Sequence, residues 1–213
     1  MSAFNVQPSD LANKAGIPFL AFATAEATAS ASQASESLQN KTTVPIHAAG
    51  DVVAAQGITN APGMIVYQDS NTGHLVAMRV SNAFSVGHIT EQTLIVAPEN
   101  VLYGTPLAMA QYVPGVNDVG TLEVFFLTPN HILAEATFDA THGWQSGSSC
   151  AGCIDNKVIY KAVSGSKMFY AMATNNPQRT AGIVVGFESA DFPGTITEAQ
   201  RFGTWSLNPL TNA

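Results

Sequence analysis

The chain has 213 residues, with an ordinary apolar share of 46% but a charged share of only 11%, against about 25% in soluble domains at large. Its formal net charge of −7 includes only 8 Lys and Arg, too few and too scattered for a nucleic-acid partner, and an acidic surface also disfavours anionic membrane. No stretch reaches the roughly 20 apolar residues of a membrane span. The opening MSAFNVQPSD lacks the basic start and apolar run of a secretory signal, so the expectation is a soluble chain, cytoplasmic or secreted without a signal visible here.

Residues 1–44 read as an arm, partly helical or irregular. Ser9 or Asp10 can cap a short helix through DLANKAG, which Gly16 ends, and IPFLAFATA over 17–25 reads as a buried strand. EATASASQASESLQNKT over 26–42 offers little large apolar area for burial. Its Asn40-Lys41-Thr42 triplet is a glycosylation sequon that matters only in a secreted chain.

From residue 45 to 213 the period changes to two, the mark of an all-β domain. GMIVYQDS sets Met64, Val66 and Gln68 against Ile65, Tyr67 and Asp69, turns through Asn71-Thr72-Gly73, and returns as HLVAMRV. TLEVFFLT places Leu122, Val124 and Phe126 on one face, turns through Pro129-Asn130, and returns as ILAEATFD with Ile132, Ala134, Ala136 and Phe138 together. KVIYKAV, KMFYAMAT, AGIVVGFES and TITEAQRF continue the series. Such spacing predicts a β-propeller-like repeat of short antiparallel strands, with a β-sandwich as the alternative.

A faint repeat supports the propeller. VVAAQG, PLAMAQY and FYAMATN each precede a hairpin, at a spacing of roughly 50 to 60 residues, close to one blade. About three blade-like units result. The unit TPLAMAQY through LEVFFLTPNHILAEATFDATHGW, residues 105–144, resembles a blade of the fungal fucose-specific lectins, β-propellers of four-stranded blades that bind sugars between blades. The resemblance puts Glu135 at the place of that family's glutamate and Trp144 in its Gly-Trp, with Glu198 matching in a third unit. The family's arginine falls on Ile65, Glu123 and Ile183 and its glutamate on Ala77 in the first unit. The chain is shorter than the six blades the family implies.

Sugar binding needs an aromatic face against a pyranose ring and planar groups that fork hydroxyls. Glu135 with Trp144 meets that requirement, Trp205 with Glu198 and Arg201 offers a second copy, and Tyr67 belongs to the strand of the preceding unit. Cys150 and Cys153 are the only cysteines. They supply two ligands where zinc wants four, lack the following helix of a redox pair, and read as a local disulfide if secreted or as free thiols if cytosolic. Ser164-Gly165-Ser166-Lys167 fits the S-x-x-K spacing of serine acyl-transferring enzymes but lies between strand-like runs and reads as a turn. The five His residues share no ligand spacing, and Asp69 and Asp139 read as turn caps.

The expected function is therefore lectin-like, with glycans as partners, no cofactor or metal, and a homo-oligomer that would complete the ring. A structural self-assembling coat or surface protein is the alternative. A polysaccharide hydrolase using Glu135 and Asp139 ranks third.

Overall fold

A computed structural model describes residues 43, 45–56, 63–81, 87–112, 120–174 and 182–212. The chain divides into two units, Met1–Pro45 and Ile46–Ala213, and the second is described below. The helix expected over 10–16, the strand expected over 17–25 and the sequon lie outside the described residues.

The second unit is all-β, three four-stranded antiparallel sheets in chain order. The first holds β1 (Ala48–Gln56), β2 (Gly63–Asp69), β3 (Leu75–Val80) and β4 (Ile89–Val96). In the second are β5 (Ala108–Tyr112), β6 (Thr121–Leu127), β7 (Leu133–Asp139) and β8 (Gly143–Ser146). The third contains β9 (Phe169–Thr174), β10 (Gly182–Phe187), β11 (Thr197–Phe202) and β12 (Thr204–Pro209). Strands neighbour one another in sequence order within every sheet, so each unit is a meander of the propeller-blade type rather than half of a sandwich. The segments VVAAQG, PLAMAQY and FYAMATN are the first strands of the three sheets, which explains their recurrence.

Turn chemistry holds the meanders in register. Asp69 Oδ1 accepts the amides of Asn71 at 2.9 Å and Thr72 at 2.8 Å, and Gly73 takes φ 77°. The same device joins β7 to β8, where Asp139 Oδ1 accepts the amides of Thr141 at 2.7 Å and His142 at 2.8 Å before Gly143 at φ 70°. Side-chain acceptance of two turn amides, followed by a residue free to adopt positive φ, is the solution that Asp-x-x-x-Gly encodes.

The second sheet is packed on both faces, which is why β6 reads as a nearly continuous apolar run. Leu122, Val124, Phe126, Ala134 and Ala136 meet Met64, Val66, Leu75 and Ala77 of the first sheet. Phe125, Leu127 and Leu133 on the other face meet Ile183, Val185, Phe187 and Ala199 of the third. Two seams between sheets follow, and each is lined at one end by polar groups.

KVIYKAV is not a strand: only Ile132 with Lys161 and Ala162 with Ser189 form isolated bridges. Its backbone is shared between neighbours, with Tyr160 O accepting the Leu133 amide at 2.9 Å and Lys161 O the Ala190 amide at 2.7 Å. It clasps the second and third sheets. The fourth strands of the meanders are instead β4, β8 and β12, of which β4 and β8 carry polar residues on both faces.

Candidate functional site

The seam between the first and second sheets carries an open polar site. Arg79 near the end of β3 pairs in register with Glu91 on β4, and its guanidinium lies 3.5 Å from Glu91 Oε2. Thr93 Oγ1 donates to the other Glu91 oxygen at 3.2 Å, so the carboxylate is held from both sides. Both charged side chains remain accessible, at 37% and 56% exposure, and a ligand can reach them. Across the seam, Phe138 pairs in register with Trp144, their rings 5.4 Å apart, and the Arg79 guanidinium lies 5.6 Å from the Phe138 ring. Met64, Ala77, Arg79, Glu91, Phe138 and Trp144 together line a shallow pocket. Its chemistry is an aromatic pair with a partly exposed guanidinium–carboxylate fork lying against it.

The seam between the second and third sheets is closed by its own charges. Arg201 on β11 donates to Glu123 Oε1 on β6 and lies 3.6 Å from Glu135 Oε1 on β7. Its guanidinium also covers Trp205, 5.1 Å from the ring, and Trp205 stands edge-on to Phe125. Glu135 is fully buried and Glu123 nearly so. Glu135 Oε2 accepts the Ile154 amide at 2.8 Å. Burial foremost, and the Glu123 charge next, push the Glu135 carboxyl well above its ordinary range, while Arg201 pulls it down. Two buried carboxylates share one guanidinium here, and Glu123 Oε2 and Glu135 Oε1 are buried without a hydrogen-bond partner.

The expected pairing of Glu135 with Trp144 is therefore corrected. Glu135 and Phe138 are three positions apart on one strand and so face opposite ways, and Trp144 sits opposite Phe138. The second expected trio divides as well. Arg201 and Trp205 share the buried seam, whereas Glu198 is on the other face of β11, where it accepts the Tyr170 hydroxyl at 2.6 Å and Gln200 Nε2 at 2.8 Å. Tyr67 is 3% exposed and packs with Val76 and Met78 on the face of the first sheet that points away from the seam. Trp144 alone of the six stands in the open pocket. Arg79 and Glu91 are not legible as a pair in the sequence, because they become partners only where β4 returns along β3. The signal present was the Asp139-to-Gly143 turn, which folds Trp144 back opposite Phe138.

Cys150 and Cys153 form a disulfide between two short 3₁₀ turns, Gly147–Ser149 and Ile154–Asn156. This clamp presents the Ile154 amide to Glu135. Ser164 lies 3.3 Å from His131 Nε2, and Lys167 donates to Gly104 O at 3.0 Å, so the S-x-x-K residues are separately engaged in a turn. Asp139 is committed to its turn and to His142 Nδ1, apart from Glu135. Among the described residues no group of three or more His, Cys, Asp or Glu could hold a metal ion, and no helix is long and apolar enough to cross a membrane.

No protein-family model matches the chain, and no curated protein matches it in sequence. Among solved structures it is similar to AofleA from Arthrobotrys oligospora, with 16% identity, a TM-score of 0.58, and 81% of this chain and 46% of that one covered. It is also similar to the fucose-specific lectin from Aleuria aurantia, with 16% identity, a TM-score of 0.52, and 79% of this chain and 47% of that one covered. This chain spans about half the length of those proteins. At such identity the likeness is one of fold: its three sheets share the blade architecture of the fungal fucose-specific lectin structures.

Proposed function

We propose that this chain is a carbohydrate-binding protein without catalytic activity, and that its sugar site is the pocket of Arg79, Glu91, Phe138 and Trp144. The observation that carries this reading is the accessible Arg79–Glu91 fork facing the Phe138–Trp144 wall across an inter-sheet seam. The fold shared with a protein named as a fucose-specific lectin adds support. The ligand is a neutral sugar with one apolar ring face, fucose being the first probe. Trp144 covers that face and Arg79 and Glu91 fork adjacent hydroxyls. A site this shallow binds weakly alone and gains from repetition in an oligomer. A glycan array followed by titration of the best ligand tests it: Trp144→Ala and Arg79→Ala should abolish binding while the thermal transition persists. Unchanged binding in both would assign the site elsewhere.

A second reading, self-assembly, rests on the outer face of the third sheet, where Met172 is 54% and Phe202 51% exposed. Light scattering tests it: Met172→Ser with Phe202→Ser should reduce particle mass if this face joins copies.

A further inference from the structure

At the far end of β8 from Trp144, the seam between the first and second sheets widens into a cleft of about 500 Å³, within the ~300–1,000 Å³ of small-ligand sites. Ser146 Oγ donates to Ile95 O at 3.1 Å and bars the seam between this cleft and the Trp144 pocket. The accessible floor is apolar, built from Ala97, Pro129 and Ile132, with Phe126 and Ala134 buried beneath it. The rim is polar: Glu99 and Asn100 on the turn after β4, Asn130 at the corner between β6 and β7, Ser148 on the clamped turn, and Asp155.

These rim groups are poorly engaged. The side chains of Glu99, Asn100, Asn130 and Ser148 make no hydrogen bond among the described residues. Asp155 Oδ1 accepts the Glu135 amide at 3.4 Å, and the residue's own backbone amide also bonds its carboxylate. Burial raises the Asp155 carboxyl above its ordinary range, and among the described residues no Lys, Arg or His lines the cleft. An apolar floor under a rim of open amide, hydroxyl and carboxylate groups matches a saccharide ring, and the charge balance asks for a cation on it.

We propose that this cleft is a second binding site, for a saccharide unit bearing a free ammonium group. The ring lies on Pro129 and Ile132, Asn100, Asn130 and Ser148 meet its hydroxyls, and Glu99 and Asp155 flank the ammonium. This assignment does not depend on the Arg79–Trp144 pocket, and its success or failure leaves that reading untouched.

The test is calorimetric titration of the full chain with a glucosamine tetramer and with its fully N-acetylated counterpart, at a pH where the amine is protonated. The free-amine tetramer should bind roughly tenfold more tightly, the sum of two modest ion pairs. Asp155→Asn with Glu99→Gln should remove that preference, and Trp144→Ala should retain it. Glu99→Lys, a change on an exposed turn that leaves the interior alone, should abolish the preference for the free amine even if the double variant folds poorly. Equal binding of the two tetramers, or a preference that survives Glu99→Lys, would overturn the proposal. Spermidine binding as tightly as the glucosamine tetramer would overturn its saccharide part, reducing the cleft to a general cation site.

Discussion

Arg201 on β11 reaches across the inner seam to Glu123 on β6, and with Glu135 3.6 Å from its other nitrogen it is the described cation among two buried carboxylates. Removing one partner of such a group leaves charge stranded without water. Arg201→Ala should destabilise the fold by about 3–5 kcal/mol. Arg201→Met with Glu123→Leu and Glu135→Leu, which replaces the whole group by apolar volume, should recover much of the loss. Urea denaturation of both variants checks this, and a single variant as stable as the parent would show that the cluster contributes nothing.

The same cluster sets a pH dependence. The folded-state pKa of Glu135 is raised, chiefly by burial, so the folded protein holds its proton more tightly than the unfolded chain. Its contribution is most favourable below the unfolded value and declines as pH rises from there to the folded value. Asp155, also raised by burial, acts in the same sense. Asp69 and Asp139 act oppositely: turn amides lower both pKa values, so their contribution is present above the unfolded value and lost as pH falls through the folded one. Stability should therefore peak on the acidic side of neutral. Glu135→Gln should flatten the alkaline limb and leave the acid limb unchanged, as melting temperature against pH would show.

Two glycines on β10 lie beneath aromatic rings. A Cβ at Gly186 would stand 2.0 Å from a Tyr170 ring carbon, and one at Gly182 would stand 2.1 Å from Phe202. Tyr170 cannot retreat without giving up its 2.6 Å hydrogen bond to Glu198. Gly186→Ala should cost about 1–3 kcal/mol, and in the Tyr170→Ala background most of that cost should vanish, giving a non-additive cycle. The Tyr170 hydroxyl is pushed up to about 12 by burial, with Glu198 adding to the shift, so ultraviolet titration should show one tyrosine ionising after the others.

The Cys150–Cys153 disulfide closes a short loop, and the chain-entropy argument assigns it about 2 kcal/mol. Cys150→Ser with Cys153→Ser should lower stability by that order. Because the clamp carries the Ile154 amide to Glu135 and the Ser148 and Asp155 walls of the cleft, it should also weaken binding of the glucosamine tetramer. Reduction of the parent should reproduce both effects, while the Arg79–Trp144 pocket keeps its affinity.

Much of the architecture was legible residue by residue. Alternation in GMIVYQDS and TLEVFFLT is a local consequence of strand geometry, since successive side chains point to opposite faces, and the Asp69 and Asp139 turns are encoded within five residues. The all-β class, the hairpins and the threefold recurrence of a small-apolar first strand follow from such short-range rules. Periodicity failed where a segment serves two neighbours: Lys157 to Val163 looks like a strand, yet its backbone bonds are divided between the second and third sheets.

The functional residues needed the tertiary structure. That Glu135 and Phe138 face apart follows from strand parity, but that Trp144 lies opposite Phe138 depends on β8 adding to the sheet. Arg79 finds Glu91 only after β4 returns along β3, and the wall facing them comes from another sheet, about 60 residues away in the chain. Glu135 and Arg201 read equally well as exposed ligand contacts or as a buried pair until the third sheet closes over them. Residue type and local period determined the strands and which side chains share a face; packing between sheets decided which charges met water and which met each other, because burial and long-range pairing are properties of the assembled layers.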